Sequence, residues 1–228
     1  GRAKIRRLPV RLLILGLLAV FTTGGAVYYW LVRMASNRYG RGRPESDDAS
    51  ATLSVLKPLA GPEPELEANL RSFFALGYPD FELVFCVREA DDPAADVARQ
   101  LIDEHPGVRA ELIVAGEPPS LDDYPNAKNW NLIAAAQRAT GEILVISDSD
   151  IRAAPDDLAA IAAEFADTRV GAVTCPYRAV AGPSLWSRLE AVGMNTEFWG
   201  GAFVAAMLAP MDFAVGPTMA VRRACLDE

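Results

Sequence analysis

The chain has 228 residues, 51% of them hydrophobic, enough for one membrane anchor and one domain of ordinary size. Its charge is unevenly placed: residues 1–43 carry nine Lys/Arg and no Asp or Glu, which leaves residues 44–228 with 13 basic and 30 acidic residues, a formal net of −17. So acidic a domain repels a phosphate backbone, which argues against nucleic acid as a partner, and it needs a cation to hold a phosphorylated ligand.

Leu12–Val32 is 21 residues without a charge, long enough at about 1.5 Å per residue to cross a hydrocarbon core of about 30 Å. Tyr28, Tyr29 and Trp30 sit near one end, as an interfacial belt does. A secretory signal has a shorter apolar region and a small-residue cleavage site, which is not seen here, so a transmembrane helix within residues 1–33 is the expectation. Basic residues flank both ends, so the charge pattern leaves the orientation open. Residues 34–51 read as a juxtamembrane linker, either a solvated tether or a contact for anionic head groups.

From residue 52 to residue 228 the pattern reads as one α/β domain. Thr52–Leu59 is an apolar strand ending at Lys57-Pro58, and Pro64–Leu76 an amphipathic helix with Leu66, Leu70, Phe73 and Phe74 on one face. Phe81–Val87 is a strand, followed by Asp91-Asp92-Pro93 and a helix to about Glu104 that buries Val97, Leu101 and Ile102. Ala110–Ala115 is a strand, Pro118–Pro125 a loop, Ala127–Ala139 a helix and Glu142–Ser147 a strand. Pro155–Ala166 is a helix and Val170–Cys175 a strand. This alternation predicts a mostly parallel sheet with helices on both faces. Ser184–Ala209 reads as helical with a break at Gly200-Gly201, either a core helix or an element dipping into the bilayer interface. Gly216-Pro217-Thr218 reads as a turn before a last strand, Met219-Ala220-Val221. The chain starts at Gly1 rather than Met and stops without a terminating pattern, so both ends are expected to be cut.

The chemistry concentrates at the strand ends. Ile143-Leu144-Val145-Ile146 runs into Ser147-Asp148-Ser149-Asp150, which puts two carboxylates at the carboxyl rim of a sheet, where open α/β folds bind ligands. Asp148 and Asp150, together with substrate phosphates, suit Mg²⁺ or Mn²⁺; an acidic turn that merely caps a helix has the same local signature. Asp91 and Asp92 follow another strand and could accept hydrogen bonds from a base or ribose, or simply cap the turn before Pro93. Lys128 opens a helix, a position that favours an anion, although a surface lysine reads the same way. Cys86, Cys175 and Cys225 are far apart in apolar settings and read as small hydrophobes. His105 is the only histidine, which removes His-dependent triads and zinc sites. Neither GxGxxG nor GxxxxGK[ST] occurs.

Ser54-Val55-Leu56-Lys57-Pro58-Leu59, Asp91-Asp92-Pro93, Lys128-x-x-Asn131-Leu132 and Asp148-Ser149-Asp150-Ile151-Arg152, in this order and spacing, resemble the ceramide glucosyltransferase family, which includes bacterial relatives acting on hopanoid lipids. The resemblance runs from about Leu53 to the end of the chain. It implies a membrane glycosyltransferase of GT-A fold that binds nucleotide through Asp92, with Asp91 beside it, and the metal–diphosphate through Asp148, with Asp150 completing the wider pattern. It also implies a catalytic-base aspartate and a QxxRW-like segment beyond Glu228, so this segment alone is expected to bind donor without turning over. The leading expectation is inverting transfer of a sugar from a UDP-sugar to a lipid hydroxyl, with the domain facing the cytoplasm, where nucleotide sugars occur. The rivals are a phosphotransferase with an aspartate nucleophile and a membrane-tethered nucleotide-binding or scaffold subunit.

Overall fold

Four apolar segments rich in Val, Leu, Ile and Phe form parallel strands, three of them largely buried and the third in chain order, at the sheet edge, only half-buried, as such runs do when helices cover a sheet on either side. In the computed structural model, which describes residues 9–41, 51–120, 122, 126–209, 211 and 214–226, these are β1 (Leu53–Pro58), β2 (Phe81–Val87), β3 (Ala110–Val114) and β4 (Ile143–Ser147). The basic start at residues 1–8, most of the linker (42–50) and much of the Pro118–Pro125 loop lie outside the described residues. Two short strands, β5 (Ala172–Thr174) and β6 (Thr218–Arg222), complete a six-stranded sheet of order β3-β2-β1-β4-β6-β5. β1 through β4 are mutually parallel, while β6 is antiparallel to both β4 and β5. The mostly parallel sheet is as expected; its antiparallel β6 is set by the chain returning to pair with β4 after a long excursion, which strand composition does not encode.

Side chains alternate across the sheet and build two cores. Leu53, Val55, Leu83, Phe85, Ile143 and Val145 face α2 (Leu66–Phe73), α3 (Pro93–Glu104) and α5 (Asp157–Glu164). Leu56, Val84, Cys86 and Leu144 face α4 (Ala127–Arg138) through Ala135 and Ala139. Pro93 at the first helical position of α3 costs no hydrogen bond there, and Asp92 caps that end by accepting from the Ala94 N–H at 2.8 Å. Burial pushes the Cys86 thiol up to about 11 and the Cys175 thiol up to about 12, consistent with small buried hydrophobes rather than nucleophiles.

The chain divides into two compact units, one of Pro44–Tyr177 with Phe213–Glu228, the other of Gly1–Arg43 with Arg178–Asp212. The first carries the sheet. In the second, α1 (Val10–Arg41) continues nine residues past the charge-free run, so residues 34–41 are helix rather than tether. Of α1, Val10–Tyr39 is long and apolar enough to cross a membrane. The apolar stretch after residue 184 forms α6 (Leu185–Gly193), a π-helical turn (Met194–Phe198) and α7 (Trp199–Leu208). The expected break at Gly200-Gly201 is absent: both glycines lie inside α7, and the pitch changes instead at the π-turn. A Cβ on Gly200 would stand 3.1 Å from a Val32 methyl, so the glycine is what lets α7 lie against α1. Tyr39 and Phe203 stack at 4.8 Å further along the same seam, and the Tyr29 hydroxyl donates to Glu197.

Candidate functional site

Parallel strands put all their carboxyl ends on one edge, and the chain leaves β1 toward β2 on one side and reaches β4 on the other. The crevice between the ends of β1 and β4 is therefore the switch point where open α/β sheets place ligands. Asp148 stands at the end of β4 on this crevice, partly buried. Its carboxylate meets Lys128 at 2.6 Å, although the two are 20 positions apart in sequence. Lys128 reaches it from the first turn of α4, which Asn126 caps by accepting from the Lys128 N–H at 2.9 Å. Asp150 lies two residues on and is exposed.

The Asp148 backbone is held from three directions. Its N–H donates to the Pro217 carbonyl at 2.8 Å, and its carbonyl accepts from the Ile151 N–H at 3.3 Å. The same carbonyl accepts from the ammonium of Lys57. Lys57 was legible only as the end of a strand; in the fold it is fully buried, 3.4 Å from the Ser147 hydroxyl and 3.9 Å above the Phe73 ring. Burial pushes its ammonium down to about 7, while the carboxylates of Asp148, Asp150 and Glu63 pull it back up. A lysine is almost never fully buried unless paired. The available signal was that residue type inside an otherwise apolar strand.

Asp91 and Asp92 lie on the same carboxyl edge, after β2, but they differ in what they do. Asp92 commits its carboxylate to backbone, accepting from Ala94 and, at 3.0 and 3.1 Å, from the Gly61 N–H of the β1–α2 loop. It thus ties two rim loops together. Asp91 is exposed. Arg152, after Asp150, binds Glu65 at 2.8 Å and Asn69 at 3.3 Å, anchoring the segment beyond the acid pair to α2. Glu65 itself sits at φ 60°, a left-handed conformation unusual for a residue with a Cβ. One turn into α4, the Oδ1 of buried Asn131 has no hydrogen-bond partner among the described residues.

The donor set of Asp148 and Asp150 fits a hard divalent ion that draws its remaining ligands from substrate phosphate and water, since two carboxylates are what such sites supply. Among the described residues no group of three or more His, Cys, Asp or Glu could hold a metal by itself. Lys128 adds a cation beside Asp148, the first acid of the pair.

A model of the family described as Glycosyl transferase family 21 matches residues 17–228. The chain belongs to glycosyl transferase family 21. This family 21 chain is 38% identical over 114 residues to ceramide glucosyltransferase 1 of Caenorhabditis elegans, a match covering 50% of the chain and 24% of that protein. It is 36% identical over 100 residues to the ceramide glucosyltransferase of Komagataella phaffii, covering 43% and 19% respectively. The family 21 chain thus spans about a quarter of the length of the curated relatives it matches. The mannosyltransferase PcManGT from Pyrobaculum calidifontis, solved in complex with GDP-Man and Mn²⁺, superposes with a TM-score of 0.61 at 22% identity, covering 93% of this chain and 56% of that one. The fold is accordingly that of GT-A glycosyltransferases.

Proposed function

We propose that this protein is a membrane-anchored, inverting glycosyltransferase that moves a sugar, glucose or a relative, from a UDP-sugar to a lipid hydroxyl of the ceramide or hopanoid kind. Residues 52–228 form the donor-binding domain, α1 anchors it, and the domain faces the cytoplasm. The observation that carries the reading is the meeting of Lys128 and Asp148 at the β1/β4 switch point, with Lys57 behind them. Membership of family 21 and the ceramide glucosyltransferase relatives support the donor and acceptor classes.

The roles follow from placement. Asp148 and Asp150 would hold a Mg²⁺ or Mn²⁺ ion, which supplies charge neutralisation to the departing diphosphate. Lys128 exchanges its pairing with Asp148 for the pyrophosphate when donor arrives, keeping a cation against the leaving group. Asp91, exposed on the β2 side of the rim, accepts from the base or ribose, while Asp92 fixes the loop that carries it. The long apolar surface of α1 brings the domain to its lipid acceptor.

The deciding experiment is donor binding to the full-length protein. Asp148→Asn keeps the size of the side chain and removes the charge that both Lys128 and the ion need. Metal-dependent UDP-sugar binding, measured by titration calorimetry, should disappear. Undiminished affinity would refute the assignment.

A further inference from the structure

The unit that contains α1 also contains a helix whose polarity is inverted. At about 100° per residue, Leu185, Trp186, Leu189 and Val192 of α6 fall on one arc of roughly 120°. All four are exposed, by 65%, 78%, 54% and 60%. The opposite side carries Ser187 and Ala191, and it is this small, polar side that is shielded: Ala191 is 7% exposed, and the Ser187 hydroxyl accepts from the Gly182 N–H at 2.7 Å. A helix of a water-soluble domain turns its large apolar residues inward. Here they point outward, and contiguous exposed apolar faces of this kind mark interaction surfaces.

The occupant is argued from the neighbouring elements. α6 passes through the π-turn into α7, and α7 packs along α1 at Val32 and Tyr39. The outward face of α6 therefore belongs to the same unit as the exposed leucines of α1, the helix long and apolar enough to cross a membrane. Trp186, amphipathic and the most exposed of the four, is the residue type that settles at the head-group level.

We propose that α6 is a second membrane contact, lying in the bilayer interface with Leu185, Trp186, Leu189 and Val192 among the upper acyl chains. The proposal rests on the reading of α1 as the membrane anchor. It assigns the apolar stretch after residue 184 two separate jobs: α7 pairs with the anchor, and α6 meets lipid directly.

The test uses the full-length protein in phosphatidylcholine vesicles, comparing wild type with Trp186→Phe and with Trp30→Phe. Each difference spectrum isolates one indole. Donor binding by both variants verifies that they are folded. The Trp186 component should fall by about twofold or more when the lipid carries bromine high on its acyl chains, and aqueous iodide should leave it nearly unchanged. Quenching by iodide without quenching by bromolipid would put the face in water and end the proposal. Protection from both quenchers would mean that protein, such as a second copy of the chain, covers the face, and would also overturn it. Trp30 separates the two readings. If Trp30 is quenched by bromolipid and Trp186 is not, the anchor stands and α6 alone is misassigned; if neither is quenched, the anchor reading falls and the α6 contact with it.

Discussion

A buried ammonium with no carboxylate in contact is expensive, and in this fold Lys57 is spent on a backbone carbonyl. The contact fixes the peptide that carries Asp148, which on the proposed reading would hold the ion. Lys57→Met, close in length and apolar, should therefore separate stability from function. Removing the buried charge should leave the melting midpoint unchanged or raise stability by about 1–4 kcal/mol. Metal-dependent UDP-sugar affinity should drop about 10–100-fold, as it does when outer-shell partners are lost. A variant that merely unfolded, or one that bound donor normally, would contradict the role. The two acids after β2 make a similar contrast. Asp92→Ala loses the cap on α3 and the hold on Gly61, which should cost about 1 kcal/mol or more by chemical denaturation. Asp91→Ala should leave stability within about 0.5 kcal/mol and weaken nucleotide binding instead.

Elements here are fixed by close approaches as much as by propensity. Gly141 leads into β4, and a Cβ there would lie 2.6 Å from the backbone nitrogen of Ser54 in β1, with the Ser54 hydroxyl at 2.7 Å. Gly141→Ala must push β4 away from β1, and should destabilise by about 1–3 kcal/mol, read from the denaturant midpoint. It sits at the amino end of β4, away from the crevice, so donor affinity per folded molecule should be retained; a selective loss of binding would show that the two edges of the sheet are coupled. The alternation of strands and helices was legible in the sequence because Ile143–Ile146 or Phe81–Val87 can be satisfied only in a covered sheet. The Asp148 and Lys128 pairing was legible as far as topology, since both must lie on one edge if the order is parallel. Lys57 was not, because its burial depends on β1 and β4 being neighbours, a fact of strand order rather than of local pattern. Nor was the π-turn, since Met194–Phe198 carries no breaker and the visible one, Gly200-Gly201, serves packing against Val32 instead.

At the scale of the whole molecule the governing quantity is charge. Residues 44–228 carry a formal net of −17, and the ligand proposed for them is a pyrophosphate. Near the crevice the two lysines, Lys57 and Lys128, are outnumbered by the four carboxylates of Asp91, Asp92, Asp148 and Asp150, so the local charge does not reverse the global one. On the proposed reading a divalent ion would do more than assist chemistry, because it would offset the repulsion that the donor meets. Without it, added monovalent salt should help the donor in: screening shortens from about 30 Å at 0.01 M to about 10 Å at 0.1 M, and the repulsion weakens accordingly. With Mg²⁺ or Mn²⁺ saturating, the same change in salt should leave association nearly flat or slow it slightly, because the donor then meets a partly neutralised rim. Stopped-flow association of a fluorescent UDP-sugar with the full-length protein, with ion or with chelator at both salt concentrations, measures this directly. Steep slowing by salt in chelator would mean that the rim is already attractive, with Lys57 and Lys128 outweighing the acids. The ion would then be needed for the leaving group alone.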